Sequence, residues 1–101
     1  MRERTPAVHI LTNQTRGALY TGVTSDPLAR IAQHRAGETP GFTARYRIKR
    51  LVHLEFFGDM EHAILREKQI KSWRRAWKIR LVEENNPDWR DLAMDYGFDP
   101  L

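Results

Sequence analysis

Residues 18–34 read ALYTGVTSDPLARIAQH, and within them one hydrophobic period gives way to another. Residues 18–24 are β-prone and carry Tyr20-Thr21-Gly22. Asp26 then offers a side-chain oxygen to the free N–H groups of a helix start, and Pro27 suits the first helical position. Leu28, Ile31 and Ala32 recur at i, i+3 and i+4 and predict the buried stripe. Gly37 predicts the stop. Arg30 and His34, four residues apart, fall on a different stripe and point the same way. Upstream, 7–12 (AVHILT) is another β run, and the turn cluster Asn13-Gln14-Thr15-Arg16-Gly17 joins the two as an antiparallel hairpin. Downstream, 37–50 (GETPGFTARYRIKR) reads as a cationic loop, of a length that marks function or mobility in a compact domain. Residues 51–57 (LVHLEFF) read as a third strand. Gly58-Asp59 opens the longest helix, from about Met60 to about Trp77, with an apolar stripe at Met60, Ala63, Ile64, Ile70, Trp73 and Trp77. A short helix from about Ile79 to Glu84 follows. Asn85-Asn86-Pro87-Asp88 breaks it, and Asp88 is expected to cap a last turn containing Trp89 and Leu92. The predicted fold is α/β in the α+β sense, order β-β-α-β-α-α, with a three-stranded antiparallel sheet covered by helices.

At 101 residues the chain can bury one core, so 1–101 is expected to be one domain with its core over about 7–92. A 41% hydrophobic and 30% charged composition is that of a globular protein. Seventeen Lys and Arg against 13 Asp and Glu give a net charge of +4, with a pI of about 9.9. That surplus permits nucleic-acid binding without requiring it. The absence of cysteine excludes disulfides and thiolate metal sites. Met1-Arg2-Glu3-Arg4-Thr5-Pro6 lacks the apolar run of a signal peptide, and no stretch approaches the roughly 18 to 20 apolar residues of a membrane span. The expected location is cytoplasmic, with no membrane partner.

Glu67 stands i+4 from Ala63, i+3 from Ile64 and i−3 from Ile70, inside the apolar stripe. A charge there is costly unless it meets a cation, a metal or a water-filled cleft. Either it forms a buried ion pair, with Arg30 and Lys49 as available cations, or it is a functional carboxylate. A lone Glu suits Mg²⁺, which keeps most of its waters. Taken singly, Tyr20 reads as a half-buried strand tyrosine, His9 as a core histidine, Arg30 and His34 as a solvated helix face and Asn86 as a turn former. Taken together they suit phosphodiester chemistry, which needs cations on a developing negative charge and an acceptor for a water proton.

In order and spacing these pieces resemble the GIY-YIG nuclease superfamily, most closely its small single-domain bacterial members. The likeness runs from about Ala7 to about Leu92. AVHILTN stands for the first half-motif, YTG for the second, SDPLARIAQH for the Arg-x-x-x-His helix, AILREKQIKSW for the helix with the metal Glu, and NNPDWRDL for the late Asn. The resemblance implies a divalent-metal DNA endonuclease that hydrolyses a phosphodiester in one step. It places Tyr20 beside the attacking water, Arg30 on the scissile phosphate, His34 near the nucleophile or phosphate, Glu67 as the single ligand to Mg²⁺ or Mn²⁺, and Asn86 as an orienting group. It also implies DNA as partner, with branched, flapped or single-stranded forms among the substrates, and a link to DNA repair or recombination.

The chain departs from the family at His9, where the first half-motif has a tyrosine, and at Ala7, where it usually has glycine. His9 is expected to serve as general base in that tyrosine's place, with activity rising through about pH 6 to 7 and then levelling. Strict pairing of 9 with 20, and of 11 with 18 around a 12–17 connection, would put His9 and Tyr20 on one face. Pairing 10 with 20 would separate them. Arg45, Tyr46, Arg47, Lys49 and Arg50 in the 37–50 loop are the expected DNA contacts, mostly to phosphates. Lys71, Arg74, Arg75, Lys78 and Arg80 form a second basic group, expected mainly to confer solubility. The alternative is a non-catalytic nucleic-acid-binding or interaction module on the same fold.

Overall fold

The computed structural model describes residues 5–38 and 41–101. Residues 1–4 of the expected domain, and Thr39 and Pro40 of the expected loop, lie outside the described residues. The three strands are β1 (Ala7–Thr12), β2 (Leu19–Thr24) and β3 (Arg50–Phe56), and they form one antiparallel sheet in the order β2-β1-β3. The helices are α1 (Pro27–Ala36), α2 (Phe42–Arg45), α3 (Met60–Ser72) and α4 (Arg75–Asn85), followed by a 3-10 turn, Leu92–Tyr96. AVHILT is buried at every position because the central strand has a layer on each face. Val8 and Ile10 pack with Ala63, Ile70, Val82 and Trp89 on one side. Leu11 packs with Ile31, Ile48, Leu51 and Ala93 on the other.

Four features of the fold depart from the sequence-based expectation. The buried face of α1 is Pro27, Ile31 and His34, not Leu28, Ile31 and Ala32, so His34 points inward rather than sharing a solvated stripe with Arg30. The cap itself is as expected, since Asp26 accepts from the Ala29 N–H at 3.3 Å. The 37–50 loop contains α2, and β3 begins at Arg50. The long helix stops at Ser72. Trp73 and Arg74 adopt extended backbone (ψ 150° and 156°), and α4 starts afresh at Arg75, with Trp77 exposed; Ile64, within α3, is exposed as well. No Gly or Pro marks this break. At its end the Ser72 hydroxyl donates to the Gln69 carbonyl, a local bond that competes with the helix ladder. Finally, Asp91 rather than Asp88 caps the last turn, accepting from the Ala93 N–H at 3.2 Å.

One irregularity organises the far end of the sheet. β1 pairs Ile10 with His53 but Leu11 with Leu51, so Val52 is an extra residue in a bulge. Its neighbourhood is satisfied from outside the sheet. Asn86 donates to the Val52 carbonyl at 3.2 Å, and Asp91 accepts the Leu51 N–H at 3.2 Å. Asp91 also pairs with Arg35 of α1. The bulge, the chain after α4 and α1 are therefore one connected structure. Among the described residues, no helix is long and apolar enough to cross a membrane.

Candidate active site

Strand register decides which side chains meet. His9 pairs with Gly22 and Leu11 with Tyr20, two residues displaced from a 9-with-20 pairing but of the same parity. His9, Tyr20 and Gly22 thus share the face of the sheet that α1 covers. The His9 and Tyr20 ring centroids are 6.2 Å apart. His34 from α1 completes a triangle, 6.1 Å from His9 and 5.5 Å from Tyr20. The third residue of YTG is glycine for a steric reason. A Cβ on Gly22 would lie 2.7 Å from His9 Nε2 and 3.1 Å from Tyr20 Cε2.

Both imidazoles are buried, at 1% exposure for His9 and 3% for His34. None of their four ring nitrogens has a hydrogen-bond partner among the described residues. A neutral imidazole carries one donor and one acceptor, and each buried polar atom left unpaired costs on the order of 1–3 kcal/mol. Apolar side chains would fill this space at no such cost, so stability does not account for two histidines. Burial above all, then the charges of His34, Arg30 and Lys71, hold His9 down at about 3. Burial and then Arg30 lower His34 as well. This corrects the pH expectation: His9 is already neutral throughout the range in which a rise through about pH 6 to 7 was expected.

Arg30 stands on α1 one turn before His34 and donates to the Gln33 side-chain carbonyl at 3.3 Å. Glu67 is partly buried on α3, its side chain 15% exposed, and pairs with Lys71 at 3.3 Å rather than with Arg30 or Lys49. Lys49 instead donates to the Arg35 carbonyl at 3.2 Å. Lys71, the partner of Glu67, is among the charges that depress His9. Among the described residues, no three His, Asp or Glu side chains converge into a metal cage. A single, partly open carboxylate fits a cation that retains most of its own water, as Mg²⁺ does.

Asn86 is engaged elsewhere. Its amide donates to Val52 and, at 2.8 Å, to the Arg90 carbonyl, and it accepts from the Arg90 N–H at 3.0 Å. The structure thus uses Asn86 at the bulge and does not bring its amide to the imidazole cluster. Of the expected DNA contacts, Arg45, Tyr46 and Arg47 are exposed beside a depression of about 740 Å³ lined by Gly41, Phe42, Ala44, Arg45 and Tyr46. The Arg45 guanidinium lies 5.5 Å from the Tyr46 ring centroid. Lys49 and Arg50 are half-buried and belong to the fold as much as to its surface. Two contributors were missed in the sequence: Gly22, which makes room for His9, and Lys71, which pairs with Glu67. The i,i+4 spacing of Glu67 and Lys71 was the readable signal.

Comparison with known proteins agrees with this geometry. Residues 6–80, which contain the hairpin, α1 and α3, match the model of the GIY-YIG catalytic domain. The chain is 40% identical over 67 residues to the UPF0213 protein of Staphylococcus haemolyticus, covering 66% of this chain and 82% of that one. It is 42% identical over 67 residues to a UPF0213 protein of Haloquadratum walsbyi, covering 66% and 75%. A UPF0213 protein of Staphylococcus aureus is 37% identical over 68 residues, covering 67% and 83%. No solved structure matches. With most of the chain inside the matched segment, and the paired half-motifs, Arg-x-x-x-His helix and inward Glu all within it, this protein belongs to the GIY-YIG catalytic domain family.

Proposed function

We propose that this protein is a divalent-metal-dependent DNA endonuclease in which His9 replaces the first motif tyrosine. The observation that carries the reading is the set of unpartnered ring nitrogens of His9 and His34, buried around Tyr20 beside Arg30. In this reading Arg30 binds the scissile phosphate. His34 holds the nucleophile or the phosphate through a ring N–H, Tyr20 lies beside the attacking water, and neutral His9 accepts the water's proton. Glu67 would hold Mg²⁺ or Mn²⁺, which when bound stabilises negative charge on phosphate oxygens. His9 is a weak base in the free protein partly because of Arg30. A phosphodiester anion seated on Arg30 offsets that cation, so substrate binding itself raises the basicity of the imidazole. Asn86 acts on the loop after α4 and on the bulge, not on the phosphate. Arg45, Tyr46 and Arg47 flank the duplex, with weak sequence preference and strong salt dependence. Cytoplasmic DNA repair or recombination, on branched, flapped or single-stranded DNA, is the setting this activity suits.

The test is nicking of supercoiled plasmid and of a branched oligonucleotide at low salt with Mg²⁺ or Mn²⁺. Wild type is compared with Glu67→Ala and His9→Ala. Cleavage by wild type and its loss in both variants is the expected result. Cleavage that survives His9→Ala would remove His9 from the chemistry. A wild type that binds DNA but never cuts it would leave a binding module.

A further inference from the structure

Residues 68–82 carry six cations, Lys68, Lys71, Arg74, Arg75, Lys78 and Arg80, and no acid. The whole chain's net charge is only +4, so this segment holds more than the entire surplus. Two tryptophans are interleaved with these cations. Trp73 packs against the core cluster of α3 and α4. Trp77 is 50% exposed and meets Trp73 edge to face, ring centroids 6.3 Å apart. The extended pair Trp73-Arg74 is what separates them, because a continuous helix would keep Trp77 on the stripe of Trp73. The Arg74 guanidinium lies 5.0 Å from the Trp77 ring centroid. Beside it runs a groove of about 300 Å³ lined by Trp73, Trp77, Arg80, Leu81 and Glu84. The one acid on that rim, Glu84, is held by Arg80 at 3.2 Å.

We infer that this α3–α4 corner binds unpaired single-stranded DNA, with a base stacked on Trp77 and neighbouring phosphates on Arg74 and Lys78. An exposed indole in a field of cations suits a polyanion that presents flat π-faces. A duplex keeps its base faces inside the stack, so an open strand is the form that fits. A second copy of this chain is disfavoured, because two such corners would oppose like charges. The inference rests on the nuclease reading in taking the strand to be a flank of the substrate.

The test is titration of short oligothymidylate into the full chain without metal, read by tryptophan emission. Expected are quenching in wild type, loss of most of that quenching in Trp77→Ala, and binding weakened about tenfold or more. Trp77→Phe should retain most of the affinity, and duplex of the same length should bind wild type and Trp77→Ala alike. A circular dichroism melt confirms that each variant folds. Should Trp77→Ala fail to fold, Arg74→Gln with Lys78→Gln serves instead, and it should weaken oligothymidylate binding more than duplex binding. Equal oligothymidylate affinity in wild type and Trp77→Ala, equal losses for duplex and single strand, or sedimentation showing a dimer that buries Trp77 would each overturn the inference. Cleavage is not measured, so failure of the nuclease reading leaves this readout intact.

Discussion

Gly22 and His9 show how much one atom controls here. Gly22→Ala would drive a Cβ to within 2.7 Å of His9 Nε2. The buried ring then has to tilt, at a cost of about 1–3 kcal/mol. A lower thermal midpoint is expected, together with loss of cleavage at temperatures where the variant is still folded. His9 also makes the protein acid-sensitive. Its folded value is about 3 against 6.5 for a free imidazole, so between those values the unfolded chain binds a proton that the folded chain refuses. Stability is therefore full above about pH 6.5 and falls as the pH drops towards 3. His34, shifted the same way, adds to the slope. His9→Phe should flatten the dependence of thermal midpoint on pH. An equally steep acid loss in that variant would rule out His9 as the source. The identities of these residues were legible in the sequence through motif spacing. The burial of His9 was legible too, from its place in an apolar strand, but that of His34 was not, because Ile31 and His34 share a face of α1 that the Leu28–Ile31–Ala32 pattern concealed.

At the scale of elements, the bulge at Val52 governs the far end of the sheet. Asp91 accepts the Leu51 N–H, caps the 3-10 turn through the Ala93 N–H and pairs with Arg35, so Asp91→Ala strands two backbone donors and takes the carboxylate from a mostly buried guanidinium. A loss of about 3–5 kcal/mol is expected in denaturant unfolding. Asn86→Ala removes the partner of the Val52 carbonyl, and a loss of about 1–3 kcal/mol should follow. Cleavage measured well below its midpoint should stay near wild type. A folded Asn86→Ala that cannot cut would return the residue to the chemistry. The hairpin, α1 and the start of α3 were readable from caps, turns and period. The break at Trp73-Arg74 was not, because no Gly or Pro announces it and the apolar stripe runs on in sequence to Trp77. The bulge was equally silent, since LVHLEFF reads as an unbroken β run.

Across the whole molecule, the sheet separates two kinds of packing. Trp89, Val82 and Ile70 fill one side, while the other carries two histidines and a tyrosine within its layer. Apart from α2, the element order and the antiparallel sheet followed from the sequence because each depended on local punctuation. Which side would hold the chemistry depended on hairpin register, which two residues of slippage could have left unchanged and one could have reversed. Surface charge sets the binding behaviour. Arg45→Ala and Arg47→Ala should each reduce the slope of log affinity against log salt by about one, with little change between sequences, if both contact phosphates. Salt titration of duplex binding checks this, and an unchanged slope would take α2 and its neighbours off the DNA.

Among the described residues β1 is the first strand in sequence and the middle one of the sheet. On a ribosome β2 reaches it within a few residues, but β3 arrives only with Phe56, and its two faces close only when Trp89 and Ala93 have emerged. Until then AVHILT is an apolar ribbon with one open edge, the profile of a nascent chain that needs shielding. A chain ending at Arg80, where the family match stops, would be arrested at that stage. It would lack Val82, Trp89 and Ala93, and should accumulate as insoluble material during synthesis while the 101-residue chain reaches its native state.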